Sequence, residues 1–463
     1  MLLGPLPQPP PIASAPQAKR QLPAASEREH QRILAAYNGI YKDERLEGLL
    51  HQTVAKLVAA SDRPDMSYDI IILNSPSVNA FALPGGQLYV TRGLIALAND
   101  TSELASVLAH EMSHVIAQHA AMREDQVKQA ALVDRVVNDV LSDPETGALA
   151  LAKSKIRLAS FSRAQEFEAD GIGVGIAARA GFDPHGATRF LASMGRNAEL
   201  RANPGQTRID PRSPDFLSSH PATPERIKNA ESSARQFKLP DGGERERSAY
   251  LEAVEGMVYG EDPSEGYVRG RRFLHAKLGF TFLAPDGFVL DNTAQAVLGV
   301  KEGGGQALRF DVVSVPAEMK LGEYLTSGWI ENIDPKSISE LTLNGFPMAT
   351  ASAKGDQWSF RLYAIRFGSE VYRFIFAGKQ LTKDVDRIFR ESVSTFRRMT
   401  LAEIQATKPL RLKIVTVAPG DTVQKLATRM AVSDLKVERF RIINGLAPGQ
   451  RLQPGDQVKI AVE

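Results

Sequence analysis

Val107-Leu108-Ala109-His110-Glu111-Met112-Ser113-His114-Val115-Ile116-Ala117 is the stretch from which the rest of this chain can be read. In an α-helix each residue advances about 100°, so residues four apart stand one above the other. His110 and His114 then present two imidazole nitrogens to one ion, and Glu111 beside them can reach a water on that ion. The apolar flanks fit a buried helix better than a solvated one carrying two stacked surface histidines. The pattern predicts a helix over about 101–122, capped at Thr101 or Ser102, with Glu103 in its first turn.

A catalytic zinc takes three protein ligands and keeps one position open. A histidine six residues after the second would be one source of the third, but position 120 is Ala. His119 falls about 180° round an uninterrupted helix from His110, on the wrong face, and reads as a surface or packing residue. The best source is Ser162-Arg163-Ala164-Gln165-Glu166-Phe167-Glu168-Ala169-Asp170, on a second helix running from about 163 to 180 and stopping at Gly181. Glu166 and Asp170 share one face of it, so one carboxylate can bind the ion while the other accepts the free N–H of a ligating imidazole. Glu168, two residues from each, points away as a solvated charge. Standing alone the acidic run would be an ordinary solvated face; beside the histidine pair it is a ligand source. The string Gly171-Ile172-Gly173-Val174-Gly175 lacks the strand and turn of a dinucleotide site and reads as small residues for close helix packing.

At 463 residues the chain exceeds one ordinary core, which predicts two to four domains. Lys+Arg 56 against Asp+Glu 54 leave a net charge of +2, which argues against a nucleic-acid partner. No window reaches the roughly 18 consecutive apolar residues of a transmembrane segment. Zero cysteines exclude disulfides and thiolate metal sites, and suit cytosol or periplasm equally.

Residues 1–25 read as a disordered Pro-rich leader without the basic start and apolar run of an intact signal peptide. Residues 26–238 read as mainly helical, with a small sheet from strands at 68–73 and 87–91 and two helices flanking 142–147. Residues 239–263, rich in Pro, Gly and charge, read as a linker. Residues 264–400 alternate apolar and polar between Gly-rich turns, an α+β accessory domain closed by a helical stretch at 383–398. Its Phe280, Phe282, Phe360, Tyr363, Tyr372 and Phe374 read as core rather than a ligand box. After a second linker at 401–411, residues 412–463 read as strand, helix, helix, strand.

Four motifs in order, NAFALPGG from Asn79, HEMSH from His110, SRAQEFEAD from Ser162 and SHPATPERI from Ser219, resemble the HtpX/BepA-like gluzincin metallopeptidases over about 26–238. The resemblance implies a zincin-type domain with one zinc per chain, ligands His110, His114 and Glu166, and Glu111 as general base. It makes Asp170 a supporting partner of a ligand, and makes 78–83 an edge strand that pairs with substrate backbone, with Asn79 and Ala80 on the substrate side. It further implies that His220 approaches the zinc as a fourth, inhibitory ligand, and that Arg226 can stabilise an oxyanion. A His-Pro turn capping a helix near Thr223, with Arg226 in an ion pair, is the structural alternative. Zinc so held lowers the pKa of its water toward ~7, and Glu111 can take the proton.

The C-terminal unit, with Pro419-Gly420-Asp421-Thr422 as turn and cap and Pro454-Gly455 before the last strand, resembles a LysM module, a family that binds peptidoglycan or chitin. Gln424 stands where a large apolar residue often occurs, so a LysM-like fold used for protein contact stays open. The middle unit, with Gly279-Phe280-Thr281-Phe282 and Ala284-Pro285-Asp286-Gly287-Phe288, faintly resembles the PsbP/Mog1-like sandwich. The sequence thus predicts an α+β multidomain chain: a zinc metalloendopeptidase of the periplasm or cell envelope, acting on protein or peptide substrates, misfolded or stalled envelope proteins among them. A peptidoglycan-associated hydrolase and a low-turnover zinc-site chaperone or scaffold are the alternatives.

Overall fold

The computed structural model describes residues 24–122, 161–202 and 220–463, apart from 222, 294–295, 329, 331, 356 and 433. Most of the expected leader and the two helices expected around 142–147 lie outside the described residues. The first unit begins with helices α1 (Ala24–Ala36) and α2 (Glu44–Ala60), followed by strands β1 (Asp69–Leu73), β2 (Ala80–Ala82) and β3 (Gln87–Thr91). Helices α3 (Arg92–Leu97), α4 (Thr101–Ile116), α5 (Arg163–Arg179), α6 (Gly186–Ala202), α7 (Pro224–Ala234) and α8 (Arg247–Val254) come next, then a short strand β4 (Val258–Tyr259). The sheet runs β1-β3-β2, with β1 parallel to β3 and β2 antiparallel to it as an outer strand lying against α4.

Helix α4 is the centre of this unit, and every residue from Thr101 to His114 is buried. Its cap is Asp100, one residue before the expected Thr101 or Ser102: the carboxylate accepts the Glu103 amide at 2.9 Å and the Ser102 hydroxyl at 2.7 Å. Arg189 and Arg245 neutralise that buried carboxylate, which an uncharged cap would not require. The helix also ends earlier than expected. After Ile116 and the C-cap Ala117, Gln118 takes the left-handed conformation, φ 55°, and turns the chain.

Helix α5 begins with a reciprocal capping box between Ser162 and Gln165 and is stopped by Gly181 at φ 90°. It crosses α4 closely, because a Cβ on Gly173 would stand 3.0 Å from the His110 backbone nitrogen. Gly171, two residues away, has nothing within 4 Å, so one glycine of the string carries the close approach.

Residues 239–263 are not a bare linker. Tyr250, Leu251, Val254 and Met257 enter the same core as Leu46, Val90 and Leu108, and the Tyr250 hydroxyl donates to the Ile95 carbonyl at 2.6 Å. The spacing of Tyr250, Leu251 and Val254 buries one face of α8, while its charged residues give the segment a linker-like composition. Strand β4 then pairs with the strand Leu410–Thr416, so 401–411 is not a free tether either; it holds the helix Leu401–Ala406 and the start of that strand.

The middle unit has a seven-stranded antiparallel sheet over 288–378 and a four-stranded sheet over 267–398. Phe280, Phe282, Tyr363, Tyr372 and Phe374 are buried in its core, as expected, whereas Phe360 is half-buried beside Trp358. The C-terminal unit follows the order strand Leu410–Thr416, helix Val423–Thr428, helix Lys436–Ile443, strand Gln457–Val462. It sits directly on the first unit: the fully buried Lys459 amino group donates to the Ala96 carbonyl at 2.7 Å and the Ala98 carbonyl at 2.6 Å. The chain is thus a mixed α/β multidomain protein with several sheets.

Candidate active site

Helical spacing stacks His110 over His114 on α4, and their Nε2 atoms lie 3.1 Å apart. Across from them, α5 contributes Glu166, whose carboxylate oxygens lie 3.7 Å from His110 Nε2 and 3.5 Å from His114 Nε2. His220, on the loop before α7, brings Nδ1 to 2.8 Å from Glu166 Oε1 and 3.3 Å from His110 Nε2. The four side chains offer ligand atoms all within 4.8 Å of one another, and all four residues are buried.

Supporting contacts set which ring nitrogen faces inward. His110 Nδ1 lies 3.0 Å from Asp170 Oδ1, so the proton of a neutral ring sits on Nδ1 and the lone pair on Nε2. Arg226, from α7, grips Asp170 through Nε at 2.8 Å and Nη2 at 2.6 Å, and reaches Glu166 Oε2 through Nη1 at 2.7 Å. Phe161 stacks on the His114 ring, centroids 4.0 Å apart.

Burial governs the charges. It pushes the Glu111 carboxyl well above the usual range, helped by the neighbouring Glu166 and opposed by Arg226 and a hydrogen bond from the Ala82 amide on β2. Burial also raises Glu166. It lowers His110 in spite of Asp170, and together with the surrounding imidazoles lowers His114 strongly, so both rings are neutral. Burial alone would raise Asp170, but its bonds to Arg226 and His110 win and hold it at about 2.

These residues suit a divalent cation. The Nε2 atoms of two neutral imidazoles lie 3.1 Å apart with a buried carboxylate opposite them, so both rings can turn a lone pair on one shared cation, which would also neutralise the carboxylate. The donor set of imidazole and carboxylate matches zinc.

Of the expected site residues, His110, His114, Glu166, Asp170, His220, Arg226 and Glu111 come together. Arg226 is committed to two carboxylates and buried, the ion-pair arrangement, rather than open to a substrate oxygen. Asn79 and Ala80 are buried, and the Asn79 side chain donates to the Tyr37 hydroxyl at 2.6 Å, so its amide group faces the interior. The antiparallel pairing of Phe81 with Tyr89 leaves the main-chain groups of Ala80 and Ala82 toward the outer edge of β2.

His119 departs most from expectation. It is fully buried, with Nδ1 2.9 Å from His114 Nδ1 and Nε2 3.3 Å from Glu168 Oε2. The left-handed turn at Gln118 folds it back onto α4, and Glu168 leans toward it from α5.

Two neutral imidazoles and a carboxylate on crossed helices, with a buried glutamate beside a strand that is outermost among the described residues, define a metallopeptidase-type domain. Residues 44–234 match the model of Peptidase family M48, and residues 415–461 match that of the LysM domain. The chain therefore carries a peptidase M48 domain followed by a LysM domain.

Among curated relatives, the beta-barrel assembly-enhancing protease of Escherichia coli (strain K12) is 30% identical over 208 residues, 43% of this chain and 41% of that protein. The protein of the same name from Yersinia pestis is 32% identical over 192 residues, 40% and 38% of the two chains. The mitochondrial metalloendopeptidase OMA1 of Saccharomyces cerevisiae is 34% identical over 171 residues, 35% and 46% of the two chains. The chain thus spans less than half the length of each of these relatives. Among solved structures, cyanobacterial PsbP from Synechocystis sp. PCC 6803 is similar at 15% identity and TM-score 0.23, covering 30% of this chain and 98% of that one.

Proposed function

We propose that this chain is a zinc-dependent metalloendopeptidase of the bacterial envelope, held in check by His220. The observation that carries the reading is the convergence of His110, His114 and Glu166, with Glu111 beside β2, the outer strand of the sheet among the described residues. Zinc held by the first three supplies Lewis acidity, polarising a peptide carbonyl and bringing the pKa of water toward ~7. Glu111 accepts a proton from water and returns it to the leaving amine, a task suited to a carboxyl raised by burial. Asp170 fixes the His110 tautomer, and Arg226 anchors Asp170 and Glu166 against their mutual repulsion.

The edge of β2 receives an extended substrate through main-chain groups of Ala80 and Ala82, a mode that asks little of substrate sequence. That suits unfolded or stalled envelope proteins as substrates. His220, whose Nδ1 lies among the same ligand atoms, would hold the fourth position in the resting state and would have to yield it to a substrate. The LysM domain holds the enzyme at peptidoglycan in the periplasm, and the middle unit is an accessory module.

Purified protein, wild type and in a His220→Ala background, should contain one zinc per chain and cut casein at internal bonds. Glu111→Gln should keep the zinc and lose cleavage by at least ~10²-fold. Full cleavage by Glu111→Gln, or muropeptide hydrolysis in place of casein cleavage, would sink the reading.

A further inference from the structure

We propose that His119 and Glu168 form a relay that orients His114 for the metal, a positioning device separate from Asp170. This inference rests on His114 being a zinc ligand. His114 Nε2 faces the cluster, 3.1 Å from His110 Nε2 and 3.5 Å from Glu166, so the proton of the neutral ring belongs on Nδ1. At 2.9 Å from that nitrogen stands Nδ1 of His119, which must then accept. The His119 proton is left on Nε2, 3.3 Å from Glu168 Oε2, which accepts it. One chain of donors thus runs from His114 through His119 to a carboxylate, parallel to the shorter link from His110 to Asp170.

The backbone is shaped for this contact. Continued as a helix, residue 119 would point away from the ligands. The left-handed Gln118, closed by its amide bond to the Val115 carbonyl at 3.1 Å, turns His119 back so that it is fully buried against His114. A histidine held there only to fill space would not need the Glu168 carboxylate, whose side chain is 57% exposed and solvated on its other sides. Partners of this kind, fixing tautomer and orientation, change metal affinity by about 10- to 100-fold when removed.

The test is zinc affinity by chelator competition, with the absorption spectrum of the cobalt-substituted protein as a second readout. His119→Phe keeps the ring volume but removes the acceptor, and should weaken zinc binding by about 10-fold or more and shift the cobalt bands. His119→Gln, whose carbonyl can accept from His114, should recover most of the affinity. Glu168→Ala, at an exposed side chain, should weaken binding by a smaller factor, on the order of 3-fold, with the apo melting temperature unchanged.

Wild-type affinity in both His119→Phe and Glu168→Ala would overturn the proposal. So would equal losses in His119→Gln and His119→Phe. If His119→Phe does not fold, Glu168→Ala decides alone. Wild-type zinc affinity in His114→Ala would instead refute the site reading, a result distinct from failure of the relay.

Discussion

Gly173 on α5 lies so close to His110 on α4 that a Cβ there would meet the His110 backbone nitrogen at 3.0 Å and its Cα at 3.1 Å. That closeness brings Glu166 and Asp170, on earlier turns of α5, within reach of the histidines. Gly173→Val should force the helices apart at a cost of about 1–3 kcal/mol. Gly171→Ala, with open space around it, should be neutral or stabilise by about 0.5–1 kcal/mol. Thermal melts of the two variants, with zinc titrations, check this; equal behaviour would contradict the packing assigned to Gly173.

Glu166→Ala should lose zinc outright, read by metal analysis of the purified protein. It also leaves the buried Arg226 with Asp170 as its remaining carboxylate. Part of the loss should therefore appear as instability of the metal-free protein, since breaking a buried ion pair costs about 3–5 kcal/mol. Glu166→Gln separates the two effects, because an amide oxygen still accepts from Arg226. An unchanged zinc content in Glu166→Ala would exclude it as a ligand.

His220→Ala should keep zinc, because His110, His114 and Glu166 remain, and should raise basal casein cleavage several-fold. A steady-state assay with both proteins at equal zinc loading measures this. Protein that stays inert with zinc bound would favour a scaffold over an enzyme.

Lys459 is buried completely; burial first, and Arg247 second, bring its pKa down to about 7 from the usual 10.5. Between those two values the unfolded chain holds the proton that the folded chain has lost, so stability rises with pH from about 7 toward 10. Lys459→Met should flatten that rise. Melting curves of both proteins at pH 7 and pH 9.5 test it, and an unchanged pH dependence would remove Lys459 as its source.

What the sequence made legible was local. His110 with His114, Glu166 with Asp170, and the ends of α5 all follow from one-turn spacing and capping residues. His119 was hidden because the residue that redirects it is a glutamine, whose left-handed conformation leaves no compositional mark. The inward turn of the Asn79 side chain could not be read either, because its partner, Tyr37, is distant in the chain. Tyr250, Leu251, Val254 and Met257 carried a readable helical spacing inside a segment whose Pro, Gly and charge suggest a linker. There the periodicity was the better guide than the composition.

The seat of the C-terminal unit also constrains how the protein is born. Leu412 and Ile442 belong to the core that surrounds α4, and Lys459 clasps the carbonyls just ahead of that helix. At about 5–20 residues per second, the residues that complete that core are made on the order of tens of seconds after α4 itself. The packing around α4 is therefore complete only once the strand that carries Lys459 has been made.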